Sequence, residues 1–216
     1  MLVKTADIVE HKVGKDLYCY QKGAIEKIFN AFDTSPDDYH LLFQLPTGGG
    51  KTVIFSEIVR QYLRNHKKHV VVLTHRIELC KQTSNMLTEF GVVNKIIDSK
   101  AKLDDQDQYD CFVAMVETLN NRLNDNKLDI SNVGLVIIDE AHHNSFTKLL
   151  KFFHKSFILG VTATPLSSNI DMPMKDNYNE LIVGESIENL IENKFLAKAE
   201  MYTYNVGLTS LEVGAN

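Results

Sequence analysis

Apolar residues run along this chain in two rhythms. Short apolar runs, Leu41-Leu42-Phe43, Val70-Val71-Val72-Leu73, Leu135-Val136-Ile137-Ile138 and residues 111–115 and 157–161, read as buried strands, and residues 92–97 read as a shorter strand. Between them apolar positions recur every three or four residues. One such set is Ala24, Ile25, Ile28, Phe29 and Phe32; a second is Val53, Ile54, Ile58, Val59, Tyr62 and Leu63. A third is Ile77, Leu79, Cys80, Met86, Leu87 and Phe90, and a fourth Phe146, Leu149, Leu150 and Phe153. That spacing predicts helices, each with one inward face. A helix also starts over residues 117–123, and a short one covers 186–193. Breakers fall between the elements: Asp33-Thr34-Ser35-Pro36, Gly91 and Asn124-Asp125-Asn126. Residues 166–180 show no period and read as a loop. Residues 200–206 read as a last strand, 1–17 as a lead-in and 207–216 as a tail.

Strands alternating with helices imply an α/β fold, a mostly parallel central sheet with helices on both faces. Such sheets bind ligands beyond the carboxyl ends of their strands. The unusual polar clusters fall there: residues 47–52, 74–76, 117–118, 139–142 and 162–164 each follow a strand directly.

The stretch Leu45-Pro46-Thr47-Gly48-Gly49-Gly50-Lys51-Thr52 joins the first such strand to a helix. Successive glycines let the backbone turn its N–H groups around an anion, and the helix start adds its positive dipole end. Lys51 then reaches the β- and γ-phosphates while the Thr52 hydroxyl ligates magnesium. Leu45 stands where such loops usually open with glycine, so the flexibility lies at residues 48–50.

Phosphoryl transfer also needs a metal ligand and a group that orients or deprotonates water. Asp139 and Glu140 follow the most apolar strand and can supply both, Asp139 holding magnesium through its water shell and Glu140 acting as the base. Adjacent His142 and His143 point apart, with no cysteine motif beside them, which argues against zinc. The acidic cluster Asp104, Asp105 and Asp107 lacks the glycine and terminal glutamate of a calcium loop. Arg60, Arg64, Lys67 and Lys68 close a helix, where cations complement its dipole.

Composition adds limits. The 216 residues are 44% apolar, enough for one large domain or two small ones. Net charge is −5 with a pI near 5.9, so a nucleic-acid partner requires a local basic patch. No run reaches membrane-span length, and the start carries charges in place of a leader's apolar block, so a cytoplasmic protein without a membrane partner is expected. Cys19, Cys80 and Cys111 lie far apart and read as reduced thiols.

Taken together, residues 45–52, Asp139-Glu140-Ala141-His142 and Thr162-Ala163-Thr164 resemble motifs I, II and III of superfamily 2 helicases and translocases, in order and at typical spacing. Within that DEAD/DEAH-box group the chain resembles most the branch holding type I and type III restriction motor subunits and DNA-repair helicases. The resemblance implies a RecA-like P-loop NTPase domain over residues 18–206, using ATP and Mg2+. It further implies Gln21 for adenine, with Pro46, Thr47, Gly48, Gly49, Gly50, Lys51 and Thr52 around the phosphates. Lys51, Asp139 and Glu140 are the implied catalytic residues, and Thr52 and Asp139 the implied metal ligands. His142, Thr162 and Thr164 resemble elements coupling hydrolysis to domain motion. The segment Thr74-His75-Arg76 with Gln82, and Thr118, resemble segments that touch one nucleic-acid strand. Duplex DNA is the expected partner; an RNA helicase domain or a nucleotide-dependent interaction switch are the rival readings. Relatives of this kind carry a second RecA-like domain with arginine fingers in a Gln-x-x-Gly-Arg-x-x-Arg motif. None of the four arginines here, Arg60, Arg64, Arg76 and Arg122, follows a glycine. The expectation is therefore a first motor domain nearly inactive as an ATPase alone, with residues 207–216 leading toward a second.

Overall fold

The computed structural model describes residues 15–36, 38–98, 100, 108–125, 130, 132–166 and 173–198. In chain order the elements are α1 (Cys19–Thr34), β1 (His40–Gln44), α2 (Lys51–Asn65), β2 (His69–Thr74), α3 (Ile77–Glu89) and β3 (Asn94–Ile97). Then come β4 (Cys111–Met115), α4 (Val116–Asn124), β5 (Val133–Asp139), a 3-10 helix (Asn144–Phe152) and β6 (Phe157–Thr162). A 3-10 turn (Met174–Asp176), β7 (Glu180–Val183) and α5 (Ile187–Glu192) follow.

The strands form one sheet in the order β3-β4-β2-β5-β6-β1-β7, and every pairing is parallel. Successive strand residues point to opposite faces, so each apolar run feeds two cores. Leu41, Phe43, Val70, Val72, Leu135, Ile137, Leu159 and Val161 face a cluster with Ile28 of α1, Ile54, Phe55 and Ile58 of α2, and Leu87 of α3. Leu42, Val71, Leu73, Val136, Ile138 and Ile158 face the other way, against Leu119 and Leu123 of α4, Phe146 and Leu149 of the 3-10 helix, and Phe153, which caps it. The central strand β5 has no polar side chain from Leu135 to Ile138, and all four are at most 2% exposed. Each contributes roughly 1.5–3 kcal/mol of burial. Helices thus cover both faces, as the sequence pattern implies.

Four local expectations change. The segment after β5 is a 3-10 helix and not an α-helix, although Phe146, Leu149 and Phe153 are buried as expected. Ile77, expected inward, is 42% exposed because it opens α3 before the helix settles on the sheet. The third strand covers only Asn94–Ile97. Within the stretch read as a loop, the 3-10 turn forms, and β7 begins at its end. The expected strand at 200–206, the tail, the cluster Asp104, Asp105 and Asp107, and most of the lead-in lie outside the described residues. No described helix is long and apolar enough to cross a membrane.

Candidate functional site

The carboxyl ends of β1, β5 and β6 bring the marked segments to one edge. The end of β6 sits between the other two: Thr162 O accepts from Leu45 N–H (3.0 Å), and Val161 O accepts from Ala141 N–H (3.0 Å). The loop after β1 and the carboxylates after β5 are therefore pinned to a common neighbour.

The loop takes the shape its glycines allow. Gly48 and Gly50 have φ of 82° and 84°, the left-handed region where a side chain is strained, and Gly50 is the N-cap of α2. A Cβ at Gly50 would also stand 2.5 Å from Gln21 Nε2 and so displace that side chain. The amides opening α2 have no partner within the helix and are available to an anion. Lys51 is 9% exposed, and its Nζ donates to Leu45 O at 3.3 Å, a neutral acceptor that a phosphate would outcompete. Pro46 and Thr52 are half-buried, and Thr47 and Gly48 exposed. Gln21 is 3% exposed in the first turn of α1, where its Oε1 accepts from Tyr18 N–H at 3.0 Å. It thus packs on the loop while serving as part of a helix cap. Tyr20, which no motif in the sequence singles out, donates its hydroxyl to Gly49 O at 2.8 Å.

At the end of β5, Asp139 is pushed up to about 6 by burial and by the neighbouring Glu140 charge, against the Glu140 N–H and Lys51, which pull it down. Two side-by-side carboxylates disfavour joint ionisation in the absence of a cation. Asp139 Oδ1 accepts from Glu140 N–H at 3.0 Å, and Glu140 has φ of 51°, a left-handed conformation on a non-glycine residue. With the Thr52 hydroxyl, the donor set is all oxygen and suits a hard divalent cation.

His142 Nδ1 lies 3.1 Å from Thr162 Oγ1 and 3.4 Å from Glu140 Oε2. Burial and His143 keep its pKa low, so the neutral ring is favoured. Thr162 is fully buried; its hydroxyl donates to Thr164 O (2.9 Å) and accepts from Thr164 N–H (3.1 Å). Thr164 itself is exposed.

Contrary to the expectation that they point apart, the rings of His142 and His143 lie 4.2 Å from each other, and those of His143 and His75 4.3 Å. This line of imidazoles links the turn after β2 to the carboxylates. The sequence offered Thr74-His75-Arg76 and two adjacent histidines but no sign that they meet. Among the described residues, no group of three or more histidine, cysteine and carboxylate side chains is arranged to hold a metal.

The residues expected to touch nucleic acid divide by exposure. Arg76 and Gln82 are exposed at the start and along the surface of α3, and Thr118 is half-buried in the first turn of α4. Thr74 is not accessible: it is 1% exposed, and its hydroxyl meets Arg76 O (3.2 Å) and Cys80 Sγ (2.9 Å). It shapes the turn that presents Arg76 and offers no surface of its own.

Comparison with known proteins agrees with this architecture. Residues 14–167 match the family described as type III restriction enzyme, res subunit. IRC3 of Saccharomyces cerevisiae, named as an ATP-dependent helicase, is 31% identical over 206 residues, covering 87% of this chain and 29% of its own length. The chain thus spans less than a third of that relative. The UvsW helicase of bacteriophage T4 superposes with a TM-score of 0.60 at 18% identity, over 78% of this chain and 60% of its own. A nuclease-deletion mutant of the type ISP restriction-modification enzyme LlaGI, solved with a DNA substrate mimic, gives 0.63 at 18% identity, over 84% and 21%. At those identities the structures establish the shared fold.

Proposed function

Since this chain belongs to the family of the type III restriction enzyme res subunit, we propose that it is the first motor domain of an ATP- and magnesium-dependent helicase or translocase acting on duplex DNA. The observation that carries the reading is the meeting of the phosphate loop, Asp139 with Glu140, and Thr162 on one sheet edge, joined through β6.

In this reading the α2 amides and Lys51 hold the triphosphate, and Gln21 reads the base. Thr52 and Asp139 hold magnesium, which when bound neutralises phosphate charge. Glu140 orients and deprotonates water from its strained position, and its contact with His142 relays the reacting state to Thr162 and Thr164. Arg76, Gln82 and Thr118 line the nucleic-acid side. The DNA preference is supported by the DNA mimic bound to LlaGI. The domain spans residues 18–206, with a second RecA-like domain as its partner across the cleft, in a cytoplasmic protein.

The 216 residues contain no arginine-finger motif, and removing such a finger costs on the order of 10³ in turnover. ATP hydrolysis measured with this chain alone, with duplex DNA and with RNA tests the proposal. Turnover stays near background in each case, while duplex DNA and not RNA stimulates a protein joining this chain to a second motor domain. Robust DNA-stimulated turnover by the chain alone would overturn it, and selective stimulation by RNA would overturn the DNA assignment.

A further inference from the structure

The segment after α5 returns to the phosphate loop. Phe195 N–H and Leu196 N–H both donate to Leu190 O, at 2.8 and 3.0 Å, and Leu190 is fully buried, so this turn is anchored. Lys194, between helix and turn, has φ of 61°, a position where helix ends usually carry glycine. Backbone strain of this kind persists where surrounding contacts over-determine it.

Those contacts are with the start of α1, which holds the phosphate loop, and with the loop itself. The Phe195 ring lies 4.7 Å from that of Tyr18 and 5.0 Å from that of Tyr20. Tyr20 in turn holds Gly49 O through its hydroxyl at 2.8 Å. Leu196 packs beside the adjacent residue: a Cβ on Gly48 would stand 2.9 Å from Leu196 Cδ2. Two consecutive glycines of the loop are therefore held by two consecutive residues some 150 positions later, one through Tyr20 and one directly. A glycine-rich loop unsupported on this side samples many conformations, and a ligand must then order it at a cost in affinity. Support from Phe195 and Leu196 removes part of that cost.

We propose that Phe195 and Leu196 are positioning residues that pre-form the phosphate loop for a nucleoside triphosphate, and that occupancy of the loop in turn shifts this segment. The proposal rests on the reading of residues 45–52 as a nucleotide site. It ties nucleotide state to the turn that follows α5, at Phe195 and Leu196.

The test uses the full 216-residue chain carrying Phe195→Trp, which places a single indole in a sequence that has none. Mg-ATP is titrated with heat and tryptophan emission followed in parallel. Emission changes and saturates with the heat. In the otherwise native chain, Leu196→Ala raises the Kd for Mg-ATP roughly tenfold, equivalent to about 1.4 kcal/mol, whereas Leu196→Met, which keeps the bulk beside Gly48, binds within about twofold of wild type. Saturable heat with silent emission overturns the proposal, as does wild-type affinity in Leu196→Ala. Absence of heat in the unsubstituted chain overturns the nucleotide-site reading, and the proposal with it.

Discussion

His142 Nδ1 and Thr162 Oγ1 meet at 3.1 Å across the ends of β5 and β6. The bond joins the strand that ends in the acidic pair to the strand that ends in the threonine pair, and the Thr162 hydroxyl is shared with both backbone groups of Thr164. Thr162→Val keeps the shape but removes the hydroxyl that these part-buried partners share, costing about 0.5–1.5 kcal/mol of unfolding free energy. Urea denaturation measures this. An unchanged midpoint would mean the hydroxyl organises nothing.

Asp139 gives the stability of the ligand-free chain a pH dependence of known sign. Its folded pKa of about 6 stands above the ordinary 3.8, so the folded state holds the proton more tightly. The resulting stabilisation is complete below the ordinary value and is lost as pH rises through about 6. Asp139→Asn removes this slope and exceeds wild type in stability above that pH. Urea midpoints at about pH 4, 5 and 7 for both proteins decide the matter, and parallel curves would contradict the assignment. Magnesium favours the ionised carboxylate, so saturating Mg-ATP narrows the gap at the upper pH.

Glu140 holds a left-handed backbone at φ 51°. Glu140→Gly relieves that strain and is expected to raise the unfolding free energy by roughly 0.5–1 kcal/mol, the gain being reduced by the freer unfolded chain. Calorimetric unfolding of the two chains checks the sign. A loss of stability would show that the side chain's contact with His142 outweighs the strain.

The strands that place the site were legible because they are fully buried. Residues 41–43, 70–73 and 135–138 have no polar interruption, as a parallel sheet covered on both faces demands. β7 escaped notice for the opposite reason: at the sheet edge, Leu181 and Val183 are 45% and 58% exposed, and no inward face marks the strand. The inward turn of the Thr74 hydroxyl depends on Cys80, six residues on, and a local motif gives no sense of that direction. The contact of Leu196 with Gly48 and the line from His75 to His142 join segments distant in sequence, which no periodicity records.

In the proposed reading residues 45–52 and Asp139 form one nucleotide site. Isothermal titration of Mg-ATP into the 216-residue chain and into its Lys51→Ala variant tests it most directly. Saturable one-to-one binding is expected, weakening by at least about tenfold in the variant. No saturable heat in either chain, or equal affinity in both, would contradict it.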